Sequence, residues 1–429
     1  MINRLFYLTI LLLFSTPTLL FAETIDKADT AWMLVSTALV MLMIPGLALF
    51  YGGMVRSINV LSAIMHSLIA MGVMGIQWYV IGYSLSWGES FNSPFIGGTE
   101  FIFLNNVGME ANGSIPHILF MMFQGMFAII TPALIGGALV ERIKFSSWVI
   151  FIFFWGILVY DPLCHMVWHS NGFLLLRGSL DFAGGTVVHI SSGISALVLC
   201  IFLGKRKAYG KVALPPHNLV ITLLGTALLW FGWFGFNAGS ALSSGGLAAN
   251  ALVVTHLSAS AALFSWVAIE WIFLKKPSLL GAASGAVAGL VAITPAAGYV
   301  SASSSIIIGL LGGAVCFLGV RVKSKFGFDD SLDVFGIHGL GGIFGALATG
   351  LFATTIINPG GANGIFYDFS SGMNLFFEQV IAVLFTVVYS AVITLILAFI
   401  INKTIGLRVT EEQEIVGLDQ QLHGEQAYQ

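Results

Sequence analysis

Charge is what this chain has least of. Only 9% of its 429 residues are Asp, Glu, Lys or Arg, while 57% are hydrophobic and the mean hydropathy is +0.94. A soluble domain carries about 25% charged residues, so an ordinary water-soluble globule is excluded. A net charge of -3 leaves no basic surface for a nucleic acid either. Cysteine is nearly as scarce. Cys164, Cys200 and Cys316 stand in apolar stretches without paired spacing, which leaves neither a disulfide framework nor a zinc site. No nucleophile elbow, phosphate loop or His-Glu-x-x-His motif occurs, so no enzyme and no bound cofactor is expected. His165 and His169 stand four apart in HMVWH, but only Asp161 accompanies them, and no metal site is expected. Glycine, by contrast, is abundant at fifty residues, and it lets helices pack backbone to backbone in a membrane.

The N-terminus is a segment of its own. Arg4 gives a short basic start, LFYLTILLLF an apolar core, and LLFA leads into Glu23. That pattern is a secretory signal, residues 1–22, cleaved after Ala22; its apolar run falls short of the ~20 residues a span requires. Beyond it, apolar runs near residues 31–51, 62–86, 116–140, 147–168, 187–203, 218–238, 251–274, 279–298, 304–322, 337–356 and 376–401 give eleven transmembrane helices. The expected fold class is therefore an all-α integral membrane protein. Basic residues orient it: fourteen, from Arg56 and Arg142 through Lys205 and Arg206 to Lys403 and Arg408, follow odd-numbered spans. Lys27 and Arg177 lie on the other side. The N-terminus is then outside and the C-terminus inside.

Two stretches repeat a pattern. DFAGGTVVHISSG (181–193) and DSLDVFGIHGLGG (330–342) each set a histidine eight positions after an aspartate, at the entry to the fifth and the tenth expected spans. This predicts an inverted repeat of five plus five helices with an additional C-terminal helix. PGLALFYGG and GWFGFNAGS echo it in the first and sixth. His189 and His338 would then meet near the midplane. A histidine in a bilayer core is costly. A lone one serves as a neutral imidazole bonded to a neighbouring helix, whereas a matched pair sharing one proton could pass a proton or hold a small polar molecule. Asp181 and Asp330 stand just before helices, where a carboxylate caps free N–H groups. Under a pore mouth Asp181 would also draw in cations; both roles stay open.

Phe123 and Phe127 fall on one helical face, GWFGFNAGS offers Phe234, Phe236 and Ser240, and the fourth span carries Trp155. Such rings either fill the core or converge near a mouth, where ring faces attract a small cation by about 0.5–2 kcal/mol. A hydroxyl such as Ser240 favours a cation with N–H donors. Asp161 and His169, in YDPLCHMVWH, are expected near the outer mouth, tuning cation capture or merely solvated.

GWFGFNAGS, DFAGGTVVHI, PHNL, KPSLLGA, GLVAITPAAGY, DVFGIHG and the tail GLRVTEEQEIVGLDQQLHGEQAY resemble the ammonium transporter (Amt/Mep/Rh) family, most of all its bacterial Amt branch. The resemblance implies a homotrimer with one pore per subunit and ammonium as substrate. It implies recruitment of the cation by Phe127, Trp155 and Ser240, with Asp181 and Thr294 near the same mouth. Phe127 and Phe236 would form a gate, and His189 and His338 would line the hydrophobic pore as a proton relay, making transport electrogenic. It implies no cofactor, a membrane domain over 23–402, and a cytoplasmic regulatory tail over 403–429 that receives a PII-type signal protein. The signal fits the inner membrane of a Gram-negative bacterium. A passive ammonia or carbon dioxide channel of the Rhesus kind, or an ammonium sensor signalling through the tail, are the alternatives.

Overall fold

In the computed structural model, residues 24–428 are described; the expected signal, residues 1–22, lies outside the described residues. Regular structure is nearly all helical, with a two-stranded pairing of Ala111–Asn112 and Ile115–Pro116 in one loop. Ten described stretches are long and apolar enough to cross a membrane: Lys27–Met54, Ser57–Trp87, His117–Gly136, Phe145–Leu176, Gly185–Leu203, Leu219–Gly239, Gly246–Leu274, Ala302–Lys323, Phe335–Phe352 and Phe369–Thr404. The run expected over 279–298 forms a shorter helix, Leu279–Ile293, of 15 residues. At 1.5 Å per residue it covers about 22 Å, less than the roughly 30 Å hydrocarbon core. Nearly all of it is buried among other helices, where irregular backbone at membrane depth is tolerated.

Local chemistry sets the helix starts. Asp26 accepts from the Ala28 and Asp29 N–H groups, Asn218 from Ile221, Ser278 from Gly281 and Ser301 from Ser304. Each side chain satisfies a donor that the first helical turn leaves free. Glycine sets the packing. A Cβ on Gly225 would collide with the Phe50 backbone, and one on Gly53 with Asn218, so the helices Lys27–Met54 and Leu219–Gly239 touch along their backbones. Large apolar side chains such as Phe264, Phe273, Leu318, Phe377 and Val388 face outward, as lipid requires.

Four spans contain a π-helical turn: Trp78–Gly82, Gly156–Tyr160, Gly185–Ile190 and Phe335–Gly339. The last two carry the repeated histidines, and their helices cross so closely that a Cβ on Gly193 would strike the Gly339 backbone. A π-turn inserts one residue and rotates the side chains beyond it to a new face, and it recurs at functional sites.

Candidate functional site

The site is assembled from the two π-turns. Asp181 precedes the first, and its buried carboxylate accepts from the N–H groups of Gly184 (2.7 Å), Gly185 (2.6 Å), Thr186 (2.7 Å) and Val187 (3.4 Å), and from the Thr186 hydroxyl. Gly184 turns the chain at φ 115, a conformation glycine takes without strain. Asp330 plays the same part in the second turn, accepting from Val334 (3.1 Å) and Phe335 (2.8 Å). Capping is thus the observed geometry of both aspartates. For Asp181 it fills the carboxylate's acceptor sites.

These turns bring His189 and His338 together. Their Nδ1 atoms lie 3.2 Å apart and their rings 5.3 Å, inclined by 26°. Two nitrogens of one kind can bond only if one donates and the other accepts, so the contact holds one proton between two rings. His189 Nε2 has no partner among the described residues. The pair lines a cavity of about 10 Å³ with Trp233, Phe236, Leu134 and other apolar side chains, room for about one water.

Rings continue from the pair to a wider cavity. Trp233 stacks on His189 at 5.5 Å, with Phe236 at 6.1 Å. Phe236 meets Phe127 at 4.3 Å, and Phe127 meets Trp168 edge-on at 5.9 Å. Both phenylalanines are buried, and their rings pack against each other between the two cavities. The Ser240 hydroxyl donates to the Phe236 carbonyl at 2.8 Å, leaving its lone pairs free. On the far side of Trp168 lies a cavity of about 490 Å³ that Glu89, Glu100, His117 and His169 also line. Burial pushes the Glu100 carboxyl up, but the Ser90 hydroxyl and the backbone N–H groups of Glu89 and Ser90 hold it below the usual range. The cavity therefore keeps a negative charge.

Three sequence expectations need correction. Trp155 does not meet Phe127: it is fully buried and its indole donates to Ser195 Oγ at 2.9 Å. The tryptophan at Phe127 is Trp168, whose indole donates to the Asp181 carbonyl at 2.8 Å. Thirteen helical residues separate the two, about 20 Å of depth. The HMVWH run, which ends its span shortly before Asp181, held the signal. Thr294 is not at the mouth; it is fully buried, accepting from Trp233 Nε1 at 2.9 Å and donating to the Leu290 carbonyl. It holds Trp233 against His189. Asp161 is neither solvated nor beside His169; it is fully buried and bonded to Gln77. His169 does line the wide cavity, its Nε2 3.6 Å from Glu89 Oε1. The His165 nitrogens reach the Ser86 and Ser93 carbonyls, so the two histidines do not converge on a metal.

The C-terminal segment is bonded to the bundle. Asp419 accepts from the Leu61 (3.0 Å) and Ser62 (2.8 Å) N–H groups, capping the helix Val60–Gln77, and Leu418 N–H donates to Asn59. Glu414 pairs with Arg408 at 2.7 Å, while Arg206 bridges Asp329 and Glu141.

An apolar helix bundle with a histidine pair in its interior defines a multi-pass membrane protein. The chain belongs to the ammonium transporter family, whose model, "Ammonium Transporter Family", matches residues 31–428. It is 51% identical to the ammonium transporter of Bacillus subtilis over 94% of this chain and 99% of that relative. The solved structure of Saccharomyces cerevisiae Mep2 superposes with a TM-score of 0.83 at 35% identity, covering 90% of this chain and 91% of that one. A structure titled a sensor Amt protein superposes at 0.85 with 26% identity, over 92% and 98% of the two chains. Membership makes this an ammonium transport protein and not an enzyme.

Proposed function

We propose that the protein takes up ammonium by binding the cation at the Trp168 end of the ring column, deprotonating it there, and passing ammonia along the histidine pair while the proton crosses on the imidazoles. The observation that carries the reading is the unbroken column Trp168–Phe127–Phe236–His189–His338, which runs from an acidic cavity into a nearly dry one. Phe127 and Trp168 offer ring faces, and Ser240 offers lone pairs to the N–H donors of ammonium. Potassium has no such donors and cannot lose a proton. Carrying a bare cation between Phe127 and Phe236 would cost several kcal/mol in lost hydration; ammonia avoids that cost. The shared Nδ1 proton makes the pair a relay, so each ammonia is accompanied by charge. Asp181 shapes the site by capping its turn.

In this reading Leu279–Ile293 completes eleven spans in a five-plus-five inverted repeat with one added helix, the N-terminus outside and the C-terminus inside. Residues 23–402 form the membrane domain and 403–429 a cytoplasmic tail that meets a PII-type signal protein. The assembly is a homotrimer in the inner membrane of a Gram-negative cell, delivered by a cleaved signal. The sensor Amt structural neighbour favours one second reading, an ammonium sensor acting through the tail.

The test is a current. Protein reconstituted in liposomes is given a pulse of ammonium or of potassium, and the transient current is recorded. A current with ammonium alone, lost in His338→Ala, is the expected result. A rise of internal pH without current would mean a passive ammonia channel. Absence of both, with ammonium still bound, would favour the sensor.

A further inference from the structure

A second polar crossing lies away from the pathway, between the helices Val60–Gln77 and Asp161–Trp168. It is built like the first. Gln77 stands immediately before the π-turn Trp78–Gly82, and Asp161 immediately after the π-turn Gly156–Tyr160. Asp161 is fully buried within a span. Gln77 Nε2 donates to its Oδ2 at 2.6 Å. Among the described residues the other carboxyl oxygen, Oδ1, has no partner, and neither has Gln77 Oε1.

No cation among the described residues bonds the Asp161 carboxyl. Among the described residues no Lys, Arg or His forms an ion pair with it. The titratable groups acting on it or feeling it are Tyr160, Cys164 and Tyr389, all neutral near pH 7. His165, one turn on, is held by the Ser86 and Ser93 carbonyls. Asp181 shows how many donors this fold can gather on one carboxylate: four N–H groups and a hydroxyl converge on it. The Asp161 carboxylate has one donor among the described residues. An ionised carboxylate so placed is costly to hold in a membrane interior.

A neutral carboxylic acid offers one O–H donor and one carbonyl acceptor, and a primary amide offers the reverse. Side by side, Gln77 N–H bonds Oδ2 while an Oδ1 proton bonds Gln77 Oε1, and the two unpartnered atoms satisfy each other. The glycines hold the amide in place: a Cβ on Gly82 would lie 2.7 Å from both Nε2 and Oε1 of Gln77, and one on Gly156 3.4 Å from its amide carbon. We infer that Asp161 carries a resident proton and forms a neutral acid–amide pair with Gln77, a proton-binding site separate from His189 and His338. The pair ties two spans together inside the membrane. It also sets the rotation of the helix that ends in Trp168, the ring that meets Phe127. This assignment stands whether or not transport is electrogenic.

Infrared spectra of the full-length protein in lipid at pH 8 test it, comparing the native chain with Asp161→Asn and Gln77→Leu. The native protein should show the carbonyl band of a protonated acid that moves in D2O and is absent from Asp161→Asn. In Gln77→Leu that band should move toward the frequency of an unbonded acid. Asparagine keeps two bonds to Gln77, so ammonium flux in Asp161→Asn should stay within about threefold of native. Loss of an ionised-carboxylate band in Asp161→Asn, with the acid band unchanged, would overturn the assignment. Should the variants not fold, native protein labelled with ¹³C at aspartate carboxyls decides. One resonance staying at the neutral-acid position at pH 8 supports the pair, and none doing so overturns it.

Discussion

At the scale of single residues the pathway rests on side chains whose neighbours leave them one job. Trp168 is anchored by its indole N–H to the Asp181 carbonyl and so presents its ring at a fixed place beside Phe127. Replacing it with leucine removes a ring face worth about 0.5–2 kcal/mol to a cation. Trp168→Leu should therefore raise the ammonium concentration for half-maximal current by about 2–30-fold, with little change for Trp155→Phe, whose indole serves Ser195. Equal effects of the two would dismiss Trp168 as the cation's ring. Asp181 behaves as a cap, and a cap is read by stability. Asp181→Ala strands four N–H groups and should cost about 2–4 kcal/mol, seen as thermal inactivation in detergent at lower temperature. Transport should fall with it, because the turn carrying His189 loses its anchor. A variant as stable as native yet silent in transport would instead assign Asp181 to the cation.

At the scale of elements, glycine decides which helices can cross. Gly193 lies against the Gly339 backbone, and that contact lets the two π-turns place their histidines 3.2 Å apart. Gly193→Ala must push the crossing open, at about 1–3 kcal/mol of overpacking, and should abolish the current while weakening the fold. Gly72, with nothing among the described residues within 4 Å of an added Cβ, is the control: Gly72→Ala should leave current intact and stabilise its helix by up to about 1 kcal/mol. The elements themselves were legible in the sequence, because long apolar runs must satisfy their backbones internally and so become helices. The Asp-to-His spacing placed both histidines, since each aspartate caps the turn its histidine sits on. Depth along a span was not legible. Trp155 stands in the unbroken apolar run FIFFWGILV and Trp168 in HMVWH near the end of the same span, and the helical rise between them separates a core ring from one at a cavity. Nor could apolar context reveal Asp161, whose partner Gln77 is 84 residues away. The cavity carboxylates Glu89 and Glu100 come from a loop without periodicity.

At the scale of the whole molecule, the C-terminal segment is joined to the bundle by polar contacts that composition alone would read as a loose end. Asp419 closes the helix Val60–Gln77, Glu414 holds Arg408, and Thr410 and Gln413 form a capping box. His423 sits at the edge of this contact, its ring 5.2 Å from Phe145 and its Nε2 without a partner among the described residues. Burial pushes His423 below the ordinary histidine value of 6.5, with Asp419 and Glu425 opposing in part; His66 lies behind it. The released tail then binds a proton more readily than the docked one. Docking is at full strength above about pH 6.5 and weakens as the pH falls through that value toward the docked one. Amide hydrogen exchange over residues 411–423 should therefore quicken on going from about pH 7.5 to about pH 5.5, beyond the intrinsic change in exchange rate. The Leu61 and Ser62 amides, which lose Asp419 when the tail lifts, should quicken with it. His423→Phe keeps the ring contact and removes the titration, so it should flatten the response. Undiminished pH sensitivity in that variant would move the switch to another group, and an insensitive native tail would show that the carboxylate caps outweigh the imidazole.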